Sequence, residues 1–83
     1  MSLIAEEHRR LSLVKEMVLV FLAYRYPAKY TLRSIANNLF HQETDTDCAL
    51  RWLVSEGLVE RSESRVDVYF GATLKGKYSA EVE

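Results

Sequence analysis

Side chains able to do covalent chemistry are scarce in this sequence and poorly spaced for catalysis. His8 and His41 lie far apart, and Cys48 is the single cysteine. The two histidines have no companions at the spacing of a metal-ligand motif, so no metal is expected. Glu43, Asp45 and Asp47 alternate as calcium-loop ligands do, but the Gly and the distal Glu of such a loop are missing. Cys48 has no second thiol to pair with and no flanking base to activate it. There is no Gly-x-Ser-x-Gly elbow, no phosphate-cradling glycine loop and no Cys/His couple. The expectation is a non-enzyme with no catalytic residues and no cofactor.

What remains is binding chemistry. Arginines, with their planar fork of donors, are the natural partners of phosphate, and Arg33, Arg51, Arg61 and Arg65 are spread over residues 33–65. Across all 83 residues, however, eleven Lys and Arg face twelve Asp and Glu, for a net charge of −1. Duplex-binding domains usually carry a basic surplus, so this balance weighs against DNA without excluding it, because the local field decides. Composition is that of a globular protein, with 48% apolar and 28% charged residues. A chain of this size buries only roughly 60–65% of its unfolded surface, so it needs a continuous core or a partner. No apolar run is long enough for a membrane span. Glu6 to Arg10 are charged where a secretory leader would be apolar, and a lone cysteine fits a reducing compartment; a cytoplasmic location is expected. No internal repeat is present.

The elements that position these groups follow from periodicity. Residues 4–25 read as a long helix, with Leu11, Val14, Val18, Phe21 and Leu22 on one stripe and Leu13, Met17, Val20 and Tyr24 on a second. Together the stripes span an arc of about 200°, and Pro27 ends the helix. Thr31 is a good N-cap for a second helix over about 32–40, whose apolar face is Leu32, Ile35, Ala36, Leu39 and Phe40. After a turn at His41-Gln42-Glu43, the residues Thr44-Asp45-Thr46-Asp47 have the form of a capping box. This box opens a third helix over about 45–56, closed by Gly57 in a left-handed C-cap. Strands are expected at about 58–62 and 66–70, the second alternating as Val66, Val68 and Phe70 against Asp67 and Tyr69. Gly71 breaks that strand, and a short helix over 73–80, weakened by Gly76, follows. The expected fold is mainly α with a small β-hairpin, a single domain over residues 1–83.

Three stretches, in this order and at these separations, carry a resemblance. They are Thr31-Leu32-Arg33-Ser34-Ile35-Ala36, Leu50-Arg51-Trp52-Leu53-Val54-Ser55-Glu56-Gly57-Leu58-Val59-Glu60-Arg61, and Tyr69 followed by Thr73-Leu74-Lys75-Gly76-Lys77. The sequence resembles the winged-helix (winged helix-turn-helix) superfamily, closest in pattern to the MarR- and PadR-type transcription regulators, over roughly residues 10 to 78. The resemblance implies a three-helix core with a two-stranded wing, double-stranded DNA as partner, the third helix in the major groove and the wing against the backbone or minor groove. The positions it designates for DNA contact are Arg33, Thr44, Asp47, Cys48, Arg51, Trp52, Ser55, Arg61 and Arg65, with Asp45 also facing outward.

The sequence departs from that pattern in its charge. Residues 31–57 hold Arg33 and Arg51 against Glu43, Asp45, Asp47 and Glu56. The acids at the start of the third helix complement its dipole, or one of them accepts from a cytosine amine. Three roles are open to Trp52: packing back on the wing or first helix, anchoring a protein partner, or lying along DNA. The first helix has more apolar arc than one small core covers, so a homodimer through Leu13, Met17, Val20 and Tyr24 is expected unless the C-terminal segment around Tyr78 covers them. Two functions therefore compete: a dimeric DNA-binding transcription regulator, and a winged-helix protein–protein module using the acidic third helix and Trp52.

Overall fold

The computed structural model describes residues 3–82, with side chains from residue 9 to residue 80; residues 1, 2 and 83 of the expected domain lie outside it. The first helix, α1, runs Leu3–Tyr24. It buries Val14, Val18, Leu19, Phe21, Leu22 and Ala23. Its last turn is closed by Arg25, whose guanidinium donates to the Phe21 carbonyl at 3.1 Å and lies 3.9 Å from the Phe21 ring centroid. A cation spending itself on the free carbonyls of a helix end is the usual remedy for their missing partners.

The chain then forms a short strand, β1 (Tyr30–Thr31), before α2 (Leu32–Leu39). Thr31 caps α2 as expected, its hydroxyl accepting from the Ser34 N–H at 3.2 Å. The next helix, α3 (Glu43–Ser55), is followed by β2 (Val59–Glu63), β3 (Val68–Ala72) and α4 (Leu74–Val82). The strands form one antiparallel sheet in the order β1-β3-β2, with Tyr30 opposite Phe70 and Arg61 opposite Phe70 on its other side. Val14, Val18, Leu22, Ile35, Leu50, Leu53, Val59 and Phe70 close a single core between α1, α2, α3 and the sheet. Tyr30 sets its ring edge-on to Phe21, centroids 5.3 Å apart.

Several expectations are corrected. The wing is part of a three-stranded sheet, because Tyr30 and Thr31 supply a strand too short to show any alternation. Both wing strands begin later than expected, and the connection is Ser64 to Asp67, which leaves Val66 exposed at the tip instead of on the buried face. Gly71 does not break β3. It pairs with Glu60 inside the strand, and a Cβ there would sit 2.8 Å from Lys29 Cγ and 3.1 Å from the Ala28 carbonyl. Phe40 does not extend the apolar face of α2. It adopts the left-handed conformation (φ 56°) that ends the helix, and its ring is 95% exposed. The Phe40 and His41 N–H groups satisfy the Asn37 and Ala36 carbonyls, the paired bonds of a Schellman closure in which glycine is the usual residue.

The capping box at Thr44 does not form either. The helix starts two residues earlier, with Gln42 as N-cap. Thr46 turns inward, fully buried, and its hydroxyl donates to the Gln42 carbonyl at 2.9 Å. Gly57, by contrast, takes the expected left-handed conformation at φ 75°. Gly76 does not weaken α4 but lets it dock: a Cβ there would collide with the Leu58 carbonyl and approach Leu19 Cδ1 to 3.3 Å.

Two substitutions of opposite sign follow. Gly76→Ala is expected to cost about 3 kcal/mol by forcing α4 off the Leu58 carbonyl. Phe40→Gly is expected to gain about 1 kcal/mol, since it relieves a left-handed non-glycine residue and removes almost no buried surface. Urea unfolding followed by circular dichroism measures both.

Candidate nucleic-acid interface

The face of α3 that can meet a ligand is set by the face it buries. Thr46, Ala49, Leu50 and Leu53 point into the core. At 100° per residue this leaves Thr44, Cys48, Arg51 and Ser55 within about 60° of one another on the outer side, and all four are exposed. On one flank of that stripe, Asp47 and Val54 face the wing and the start of α2. On the other, Asp45 and Trp52 face α1, where Arg10 pairs with Asp45 at 3.7 Å and the Lys15 ammonium lies 4.5 Å from the Trp52 ring centroid.

Trp52 is therefore a flank residue. It borders a cleft with Ser12, Lys15, Glu16, Leu19, Leu58 and Ser79, and 42% of it stays exposed. Its contact with α1 is the Lys15 ammonium, and the rest of its exposed surface is open to solvent. Cys48 is a free, exposed thiol one turn away.

Between α3, the start of α2 and the wing lies an open groove of about 790 Å³. Its floor is apolar, formed by Leu32, Val54, Val68 and Phe70. Its rim carries Arg33, Arg51 and Arg61 among Glu43, Asp47 and Asp67. The arginines are matched on the protein itself: Arg51 Nε is 3.1 Å from Asp47, Arg33 Nε is 3.9 Å from Glu43, and Arg61 contacts Glu63. Exposed pairs of this kind contribute little to stability and loosen in salt.

The wing tip is organised by Ser64. Its hydroxyl donates to the Asp67 carbonyl at 3.0 Å and accepts from the Val66 and Asp67 N–H groups, while the Asp67 carboxylate accepts from the Val68 N–H at 2.8 Å. Arg65 projects from this turn, fully outside the groove, and no carboxylate pairs with it among the described residues. At the other end of the hairpin Thr73 holds the strands together. Its N–H donates to the Leu58 carbonyl at 3.0 Å, and its hydroxyl donates to Gly57 and accepts from Gly76. Lys75 adds a bond to the Glu56 carbonyl at 3.1 Å.

Thus Arg33, Asp47, Arg51 and Arg61 line one groove, Thr44, Cys48 and Ser55 share the outer stripe of α3 with Arg51, Arg65 stands apart in the wing turn, and Trp52 lies on the α1 flank of the stripe. Sequence reasoning missed Lys15 as the partner of Trp52, and Ser64 and Asp67 as the frame of Arg65. The Ser-x-x-Asp spacing across a turn was the available signal for the second. Among the described residues, no three His, Cys, Asp or Glu side chains come together as a metal site.

The stripe Leu13, Met17, Val20 and Tyr24 of α1 lies on a different side. α4 packs on the Leu19 side of α1 and leaves Leu13, Met17 and Tyr24 exposed, beside a cleft that Phe21, Arg25 and Leu39 share. Among the described residues the C-terminal segment around Tyr78 does not cover Leu13, Met17 or Tyr24. Among the described residues no helix is long and apolar enough to cross a membrane.

No protein-family model matches the sequence, and no curated protein is significantly similar to it. Solved structures are. A double mutant of ZitR from Lactococcus lactis superposes with a TM-score of 0.73 at 24% identity, over 95% of this chain and 60% of that one. The adhesin competence repressor AdcR of Streptococcus pyogenes gives 0.73 at 23%, over 96% and 60%. A MarR family transcriptional regulator from Silicibacter pomeroyi gives 0.73 at 26%, over 94% and 53%. ZitR is also known in complex with DNA, and that structure matches with a TM-score of 0.69 at 24% identity over 82% of this chain and 47% of that one. The chain thus spans less than two thirds of the length of these regulators. Element order, sheet order and the superpositions agree: this chain has the winged-helix fold of the MarR-type transcription regulators.

Proposed function

We propose that this protein is a DNA-binding transcription regulator that acts as a homodimer. The observation that carries the reading is the placement of Arg51 at the middle of the exposed stripe of α3, with Arg33 and Arg61 on the rim beside it and Arg65 at the wing tip. On this reading α3 enters the major groove with Thr44, Cys48, Arg51 and Ser55 forward, and Arg65, which has no ion pair among the described residues, reaches the backbone or minor groove. The ZitR structure with DNA supports the same use of the fold. Leu13, Met17, Val20 and Tyr24 supply the dimer contact, which sets two recognition helices about 34 Å apart along a duplex.

A mobility shift with generic duplex at low salt tests the reading. Salt-sensitive association is expected, and Arg51→Ala and Arg65→Ala are each expected to lower the slope of log affinity against log salt by about 1. No association at any salt concentration would overturn it. In sedimentation at tens of micromolar the wild type is expected to be a dimer, and Met17→Glu a monomer with unchanged circular dichroism; a wild-type monomer would remove the dimer from the proposal.

The matched carboxylates around the groove favour a second reading, in which the same face and Trp52 receive a protein. Trp52→Ala separates the two. Under the DNA reading it costs about 1–2 kcal/mol of thermal stability through lost packing and the Lys15 contact, and leaves duplex affinity within about twofold.

A further inference from the structure

Phe40 is left in an unfavourable state twice over. It holds the left-handed conformation at φ 56°, which a side chain resists and glycine does not, and its ring is 95% exposed. Glycine or asparagine would close α2 equally well, so nothing inside one protomer explains an aromatic ring at this place. The ring follows directly on Asn38 and Leu39, which form one wall of an open cleft of about 530 Å³. The other wall is α1, with Leu13, Met17, Val20 and Phe21. A protruding aromatic residue thus stands next to an apolar hollow that it does not fill itself. Knob and hollow on one face are what a two-fold contact between identical chains requires, because each copy then offers its knob to the other's hollow.

Charge and area agree with a second copy as the occupant. Glu16 and Arg25 border the cleft, both exposed, and neither has an ion pair among the described residues. A two-fold axis that lies in a face midway between two of its points exchanges them, so one such axis sets Glu16 against Arg25 of the partner subunit, twice. Leu13, Met17, Tyr24 and Phe40 are exposed by 59%, 41%, 76% and 95%. That is roughly 550 Å² of side-chain surface per protomer and about 1,100 Å² for a pair, just above the ~1,000 Å² that a specific interface has to clear. The α4 helix does not take the place, since it packs on the Leu19 side of α1.

We infer that this protein pairs with a second copy of itself by seating Phe40 of each protomer in the α1–α2 cleft of the other, with Glu16 facing Arg25 of the partner subunit; this rests on the homodimer proposed above. Phe40 then has two effects of opposite sign, straining the single protomer and holding the pair. An unrelated partner would give Glu16 and Arg25 no reason to match each other.

Sedimentation of the full chain from about 1 to about 200 micromolar tests the seating. The wild type is expected to dimerise. Phe40→Gly is expected to weaken pairing by about 10- to 100-fold, with unchanged circular dichroism and no earlier unfolding at the lowest concentration. Glu16→Arg and Arg25→Glu each bring like charges together, and each alone is expected to sediment as a monomer. Mixed in equal amounts they restore both opposite-charge contacts, and the mixture is expected to dimerise within about threefold of wild type. Circular dichroism of each variant excludes a folding effect, and Phe40→Gly leaves Arg25 and its bond to Phe21 in place should the Arg25 variant unfold. If the wild type stays monomeric at every concentration, the homodimer falls and this inference with it. If the wild type dimerises but Phe40→Gly pairs equally well, or the folded charge variants do not pair selectively with each other, the homodimer stands and this seating is overturned.

Discussion

The seam where α3 lies in the core governs the rest of the molecule. With Ala49, Leu50 and Leu53 buried against a cluster that includes Val14, Val18 and Leu22, the rotation of α3 about its axis is settled, and so is its outer face. Thr46 sharpens this constraint. A buried hydroxyl is tolerated only with a partner, and the Gln42 carbonyl one turn back provides it, so the helix has to begin at Gln42 and not at a cap two residues later. A rotation by one residue, about 100°, would bring Trp52 to the centre of the exposed face and push Arg51 aside.

The exposed face is close to neutral because it is self-compensated. Arg33, Arg51 and Arg61 each have a carboxylate nearby, and of the four arginines of the α3 and wing region Arg65 alone has no ion pair among the described residues. Since these contacts lie in water, they resist a polyanion weakly; phosphates arriving in number outcompete single carboxylates. The modest charge of the whole chain therefore says less about DNA than the sum suggested.

The fold was legible where periodicity runs long or a special residue has one job. Both stripes of α1, the Thr31 cap and the Gly57 turn are of this kind. Two residues of β1 are too few to alternate, and they become a strand only because β3 lies beside them. Phe40 looked like the next apolar position of α2, since helical spacing says nothing about where a helix stops without glycine or proline. Gly76 suggested a weak helix by propensity, and tertiary packing reversed its meaning, because the Leu58 carbonyl lies too close for any side chain. In the site, the arginines and the outer stripe of α3 followed from the pattern of buried residues. The partner of Trp52 did not, because Lys15 belongs to a helix nearly forty positions earlier in the chain.

The bonds of Thr73 to Gly57 and Leu58 seal the hairpin at its root. The chain leaves the core and returns to it at one place, so everything between is a closed excursion whose length the core does not sense. Each residue added to both strands would carry Arg65 outward by about 3.4 Å without disturbing the helices. The reach of the wing is thus an independent variable of this architecture: it can be lengthened or shortened to suit a different span while the helix that lies at its base stays in register.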